Sequence, residues 1–285
     1  MWLKLLVATP LALGTVYAAA SAYGAGRWQA STQEIRARLD ERPSPVGPER
    51  VDFGELADLP APVQRYFRAV LRDGQPVVLG AHIRHEGTFN MSETAEQWKP
   101  FTSEQWVTVQ RPGFVWNGRV AMLPGAPVRV HDAYVAGEGF LHASLLGLIP
   151  VADVRGGAAM AEGELMRYLA EAVWYPTALL PSQGVTWEPA GDRSAVATLR
   201  DSGTSVALLF SFDDRNLIDS VQADSRGRTV GGRTVPTPWR GRFWGYEERG
   251  GMRVPLDGEV AWLPPDGERP YWRGHITDLE YESSR

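Results

Sequence analysis

The densest chemistry in this chain falls on one predicted helix. From Ala161 to Trp174 the residues Leu165, Met166, Leu169, Ala172 and Val173 recur at the spacing of an apolar helix face. Opposite them, at about 100° per residue, fall Glu164, Arg167, Tyr168, Glu171 and Trp174. Two carboxylates and a guanidinium on one stripe have three uses. In a cavity, Arg167 holds an anionic head group and a glutamate acts as acid or base. Buried, the same groups form an ionic knot that fixes the helix to its neighbours. In solvent they are helix-surface ion pairs, each worth only about 0.2–0.5 kcal/mol. Asp132 is the other carboxylate of note, because Val128, Val130 and Tyr134 share its strand face. Desolvation there raises a carboxyl pKa unless the group bonds a backbone donor or an arginine.

Other chemistries find little support. His82 and His85 sit three apart on a strand and point to opposite faces, as do His131 and Asp132; His142 and His275 are isolated, so no metal-ligand spacing exists. There is no Gly-x-Ser-x-Gly elbow, and neither Gly156-Gly157 nor Gly231-Gly232 is followed by the lysine of a phosphate loop. No catalytic residue is nominated, and no metal or cofactor is expected. The absence of cysteine removes disulfides and thiolate chemistry. A net charge of −5 leaves no basic surplus for nucleic acid. Eleven tryptophans suit either a twisted sheet's core or an aromatic-lined cavity.

The elements that must position these groups follow from the hydrophobic pattern. No charge occurs from Leu5 to Gly26, a stretch that as a helix reaches roughly 30 Å, the thickness of a bilayer core. Residues 1–27 read as a retained anchor, with Tyr23 and Trp28 at the interface, or as a cleaved signal peptide ending near Ala18 or Ala22. Either way the membrane is the first partner and the following domain is exported. A short helix from Ser31 to Leu39, continuing from the membrane segment, and a linker with Pro43, Pro45, Gly47 and Pro48 fill residues 28–57. Residues 58–285 form one β-rich domain. It opens with a helix from Asp58-Leu59-Pro60 to Arg72, whose Arg65, Arg68 and Arg72 lie opposite Val63, Tyr66, Phe67 and Val70. Period-two alternation marks strands over 77–89, 101–110, 114–122, 128–135, 194–200, 205–212, 217–223, 239–247, 253–262 and 272–281. Asp213-Asp214-Arg215-Asn216 and Gly250-Gly251 mark hairpin turns, and 224–238, rich in glycine and proline, a mobile loop. Without regular βαβ alternation, the fold class is α+β: a curved antiparallel sheet, open or a half barrel, with helices packed on one face.

Several strings resemble a bacterial family known only as a domain of unknown function. They are Leu59-Pro60-Ala61-Pro62-Val63 with Arg65-Tyr66-Phe67, Pro112-Gly113-Phe114 with Trp116, Gly163 through Leu169 with Glu171, Trp174, Pro176 and Thr177 to Leu180, Gly251 to Pro255, and Glu259-Val260 to Trp262. The resemblance implies that the 161–174 helix is a recurring core element. The overall pattern is similar to the half barrels of lipoprotein-carrier domains, where a sheet wraps helices and leaves an apolar groove. The leading expectation is a non-enzymatic envelope protein, membrane-anchored or exported, that binds an apolar or amphiphilic ligand. Two alternatives stand beside it. One is an enzyme on a small polar substrate using Glu164, Arg167, Glu171 or Asp132; the other is an assembly module meeting a partner through Arg65, Arg68 and Arg72 or the 224–238 loop.

Overall fold

Alternating burial along most of the chain makes strands, and the strands join into one sheet. The computed structural model describes residues 2–41, 47–92 and 95–284, with residues 2–13 as backbone only. The N-terminal half contributes α1 (Trp2–Asp40), α2 (Ala61–Val70), β1 (Val78–Asn90), β2 (Trp98–Thr108), β3 (Gly113–Leu123), β4 (Ala126–Val135), β5 (Glu138–Leu145) and β6 (Ile149–Arg155). After α3 (Ala158–Glu171) and three 3-10 turns come β7 (Thr186–Gly191), β8 (Ser194–Asp201), β9 (Thr204–Phe212), β10 (Ile218–Val230), β11 (Arg233–Arg249), β12 (Met252–Trp262) and β13 (Arg269–Ser283).

The two halves are antiparallel meanders joined at their outer ends. The strand order is β6-β5-β4-β3-β2-β1-β13-β12-β11-β10-β9-β8-β7, so the first strand pairs with the last, with Ile83 opposite Leu279. The edges are β6 and β7, and the chain between them carries α3. In that order β4 and β10 are seven steps apart, about 34 Å in a flat sheet. Yet Asp132 of β4 and Arg226 of β10 both form ion pairs with α3. The sheet must therefore curl around the helix, and it stays open because β6 and β7 do not pair.

Helix α2 starts where its prolines direct it, with Pro60 as N-cap and Pro62 in the first turn. It buries Val63, Tyr66, Phe67 and Val70 in the same core as Leu165 and Leu169 of α3. Val51 and Leu56 are buried there too. The arginines of α2 and of the turn after it are engaged within the chain. Arg65 donates to Asn216 and to the Asp192 carbonyl, Arg72 pairs with Glu248 at 2.6 Å, and Arg68 lies over the Phe53 ring.

Three expectations need correction. First, the N-terminal helix does not stand apart from the domain: α2 and α3 share the inner face, as expected, and α1 packs on the outer one. Along β4, Val128, Val130, Asp132 and Tyr134 point toward α3, whereas His131, Ala133 and Val135 point away and meet α1. Second, Trp28 is not an exposed interface residue, although Ser31–Leu39 does continue the helix of the leader. One helix runs from Trp2 to Asp40, and Gly24, Trp28, Thr32, Ile35 and Leu39 form a stripe on the sheet's outer face. Trp28 is 4% exposed, stacks on His131 at 3.9 Å and donates to Asn117 at 2.8 Å. Third, 224–238 is a hairpin, not a loop. Arg226 to Val230 pair with Thr237 to Arg233 across a two-residue turn, Gly231-Gly232, whose φ angles of 55° and 79° suit glycine.

Among the described residues, no helix is long and apolar enough to cross a membrane. The side chains of 2–13, which form the most apolar half of the expected span, lie outside that description, as do Pro43 and Pro45 of the expected linker.

Candidate functional site

The curled sheet and α3 enclose a cavity of about 640 Å³. One wall comes from β3 and β4, with Trp116, Val120, Met122, Val128 and Val130; the facing wall comes from β11, β12 and β13, with Trp239, Phe243, Val260, Trp262, Tyr271 and Trp272. The floor is α3 and the turn after it, presenting Glu164, Arg167, Ala170, Glu171 and Trp174.

Three tryptophans in these walls share a local device that sequence reasoning missed. Trp116-Asn117-Gly118, Trp239-Arg240-Gly241 and Trp272-Arg273-Gly274 each place a tryptophan two residues before a glycine, hence on the same strand face. In each case the indole lies over the glycine, closest at Gly118 and Gly274, where an added Cβ would clash with the ring. Lying along the strand, the rings line the cavity without filling it. The repeated Trp-x-Gly spacing was the available signal.

The polar groups converge at the floor. Arg167 Nη1 donates to Asp132 Oδ2 and its Nε to Glu171 Oε1, both at 2.7 Å. Gln105 Nε2 donates to the other Glu171 oxygen at 2.6 Å. The guanidinium lies over the Phe114 ring, 4.7 Å from its centroid. Arg226 approaches Glu164 Oε1 at 3.6 Å. Side chains of this cluster are 7–16% exposed, so the solvated-stripe reading is overturned and the groups form a buried ionic network at a cavity floor. Asp132 meets an arginine, the second of its two expected environments. Asp132 Oδ1, Glu164 Oε2 and Trp174 Nε1 have no protein hydrogen-bond partner among the described residues, leaving hydrogen-bonding capacity unused at the floor.

Electrostatics follow from this burial. Desolvation, helped by the Asp132 charge and opposed by Arg226 and Arg167, pushes the Glu164 carboxyl up to about 8. Glu164 therefore holds its proton more tightly than a solvated carboxyl does. Burial works against the Arg167 charge, but Glu171, Asp132 and Glu164 more than offset it and raise its pKa. Beside the network, His85 is 3% exposed against Trp174 and Trp272; burial, then the Arg167 charge, pushes it down to about 3, so the ring is neutral.

Of the six residues expected at the site, Asp132, Glu164, Arg167, Glu171 and Trp174 line the cavity. Tyr168 does not. One residue on from Arg167 it turns about 100° away and is buried in the core, its hydroxyl near the Val109 carbonyl. Among the described residues no serine, threonine, histidine or lysine lines the cavity, whose polar groups are carboxyls, guanidinium groups, indoles and the Tyr271 phenol. Among the described residues, no three histidine, aspartate or glutamate side chains are grouped to hold a metal.

Comparison with known proteins adds a family. No curated protein matches the chain in sequence. Among solved structures, the chain is similar to a LolA superfamily protein from Nitrosomonas europaea, at 10% identity and a TM-score of 0.37, over 71% of this chain and 86% of that one. It is also similar to a beta-barrel-like protein of the domain of unknown function DUF1849 from Brucella abortus, at 11% identity and a TM-score of 0.21, over 72% of this chain and 99% of that one. The model of a family of unknown function, DUF6920, matches residues 57–281, and the chain belongs to that family.

Proposed function

We propose that this protein binds an amphiphile in the cavity between α3 and the curled sheet. The observation that carries the reading is the cavity's one-ended polarity: aromatic and aliphatic walls over a floor of buried carboxyls and arginines. Its volume of about 640 Å³ lies within the range of small-molecule sites. The apolar part of the ligand lies along Trp116, Trp239 and Trp272. Its head meets Asp132, Glu164, Arg167, Glu171 and Trp174, where a protonated Glu164 donates and the free Asp132 oxygen accepts. On this reading residues 1–27 hold the domain at a membrane or export it across one, the reading their charge-free run of 22 residues supports.

The test is saturable uptake of a fluorescent fatty acid by delipidated protein, with native mass spectrometry for co-purified lipid. Gly118→Val and Gly274→Val drive the neighbouring indoles into the cavity and should weaken uptake at least tenfold, with the melting profile confirming a folded sheet. No saturable uptake and no bound lipid in the wild-type protein would overturn the proposal.

A further inference from the structure

The cavity opens at one end of the sheet, and the same end carries the apolar exposed side chains and the outgoing N-terminal helix. In an antiparallel meander every second turn lies at the same end. The β1–β2, β3–β4 and β5–β6 turns therefore share an end, and pairing of Phe89 with Trp272 puts the β12–β13 and β10–β11 turns there too. Cavity-lining Met91, Met122, Val151 and Trp262 sit at strand ends on this rim. Leu123, Ile149, Val151 and Met91 are 63%, 59%, 56% and 46% exposed, a concentration of large apolar side chains that a water-facing rim does not need.

Helix α1 points the same way. It begins its climb at the opposite end, where Leu39 packs on Gly113 and Arg38 pairs with Glu138. It then passes Asn117 and His131 through Trp28 and reaches the rim, where Gly24 lies against Leu146 and Leu148 and the Tyr17 hydroxyl donates to the Gly125 carbonyl. Its backbone continues through residues 16 to 2, about 22 Å more, and residues 5–16 carry no charge.

We infer that the rim seats on a lipid surface: the first turns of α1 enter the bilayer, Leu123, Ile149, Val151 and Met91 reach into its headgroup layer, and the cavity mouth opens onto lipid instead of water. The partner is a bilayer and not a protein, because the helix leaving the rim carries no charge from Leu5 to Val16 and, at roughly 22 Å, reaches well into the hydrocarbon without needing to cross it. This seating is independent of what the cavity holds, so it can stand if ligand uptake fails.

The chain has no cysteine, so single-cysteine labelling needs no background removal. Full-length Leu123→Cys, Ile149→Cys and Asp214→Cys proteins, the last in the β9–β10 turn at the far end of β10, would each carry an environment-sensitive fluorophore. Each would be bound to vesicles of phosphatidylethanolamine and phosphatidylglycerol. Labels at 123 and 149 should brighten severalfold and be quenched by spin-labelled lipid, while the label at 214 stays unchanged. Failure of the full chain to bind vesicles overturns the inference. So does vesicle-bound protein in which labels at 123 and 149 respond no more than the label at 214, the result for a domain that swings free of the surface.

Discussion

Replacing Arg167 with methionine removes the one cation that bonds both Asp132 and Glu171. The aliphatic stem is kept, but both 2.7 Å charge-assisted bonds go, and so does the guanidinium over Phe114. Glu171 retains its bond from Gln105, whereas Asp132 is left with no bond from the arginine. Breaking a buried ion pair from one side costs about 3–5 kcal/mol, because a desolvated charge stays behind. In a domain of this size each kcal/mol lowers Tm by roughly 2–4 °C, so a fall of about 6–20 °C is expected. Near-UV circular dichroism against temperature measures it. Adding Asp132→Asn and Glu171→Gln should restore most of the loss at pH 7, since removing both signs of charge costs far less than removing one. A Tm within 2 °C of wild type, or no recovery on neutralising both carboxylates, would refute the argument that the network is buried and mutually compensating.

Two further predictions concern pH. Glu164 binds its proton more tightly folded than unfolded, so its contribution is fully present below about 4.5 and is lost as pH rises through about 8. Glu164→Gln should flatten that loss, and at pH 9 the variant should melt above wild type; equal pH slopes would contradict the burial assigned to this carboxyl. On the outer face, His131 is pushed down to about 3 by burial, then by His142 and Arg155. Its stabilising effect holds above 6.5 and is lost as pH falls toward 3, so α1 should loosen on the sheet in acid. Trypsin cleavage at Arg36 and Arg38 should quicken between pH 7 and 5, and Trp28→Ala, which also empties the stack on His131, should show the same fast cleavage already at pH 7.

Much of the fold was legible because one face of most strands is buried. The alternation around Ile83, Phe114 and Val206 gave strands within a few residues of their observed limits. β6 was missed since six of its seven residues are exposed or nearly so and leave no period to read, and β7 because it buries only Trp187. The 224–238 segment misled because Gly231-Gly232 and the prolines resemble a loop in composition, while the long β10–β11 ladder depends on pairing that composition does not encode. For the site, helix geometry put Glu164, Arg167 and Glu171 on one stripe, but its neighbours were hidden. Asp132 lies 35 residues away and Arg226 59 residues from Arg167, brought together only by the curl of the sheet. Along α1, hydropathy pointed to lipid, and the i, i+4 recurrence of Gly24, Trp28 and Thr32 that docks it on the sheet straddles the end of that run, where no single pattern stands out.

The unpaired edges β6 and β7 give the cavity an adjustable girth. In a closed barrel the ring of main-chain hydrogen bonds fixes strand number, stagger and therefore diameter. Here no such ring exists, and the two flanks of the sheet are tied by side chains instead: Asp132 to Arg167 on one flank, Arg226 to Glu164 on the other. A wider occupant need only stretch or slacken those ties and let the seam gape, with every backbone ladder left intact. Such a container is elastic in one dimension, and its resting size is set by the polar side chains of α3.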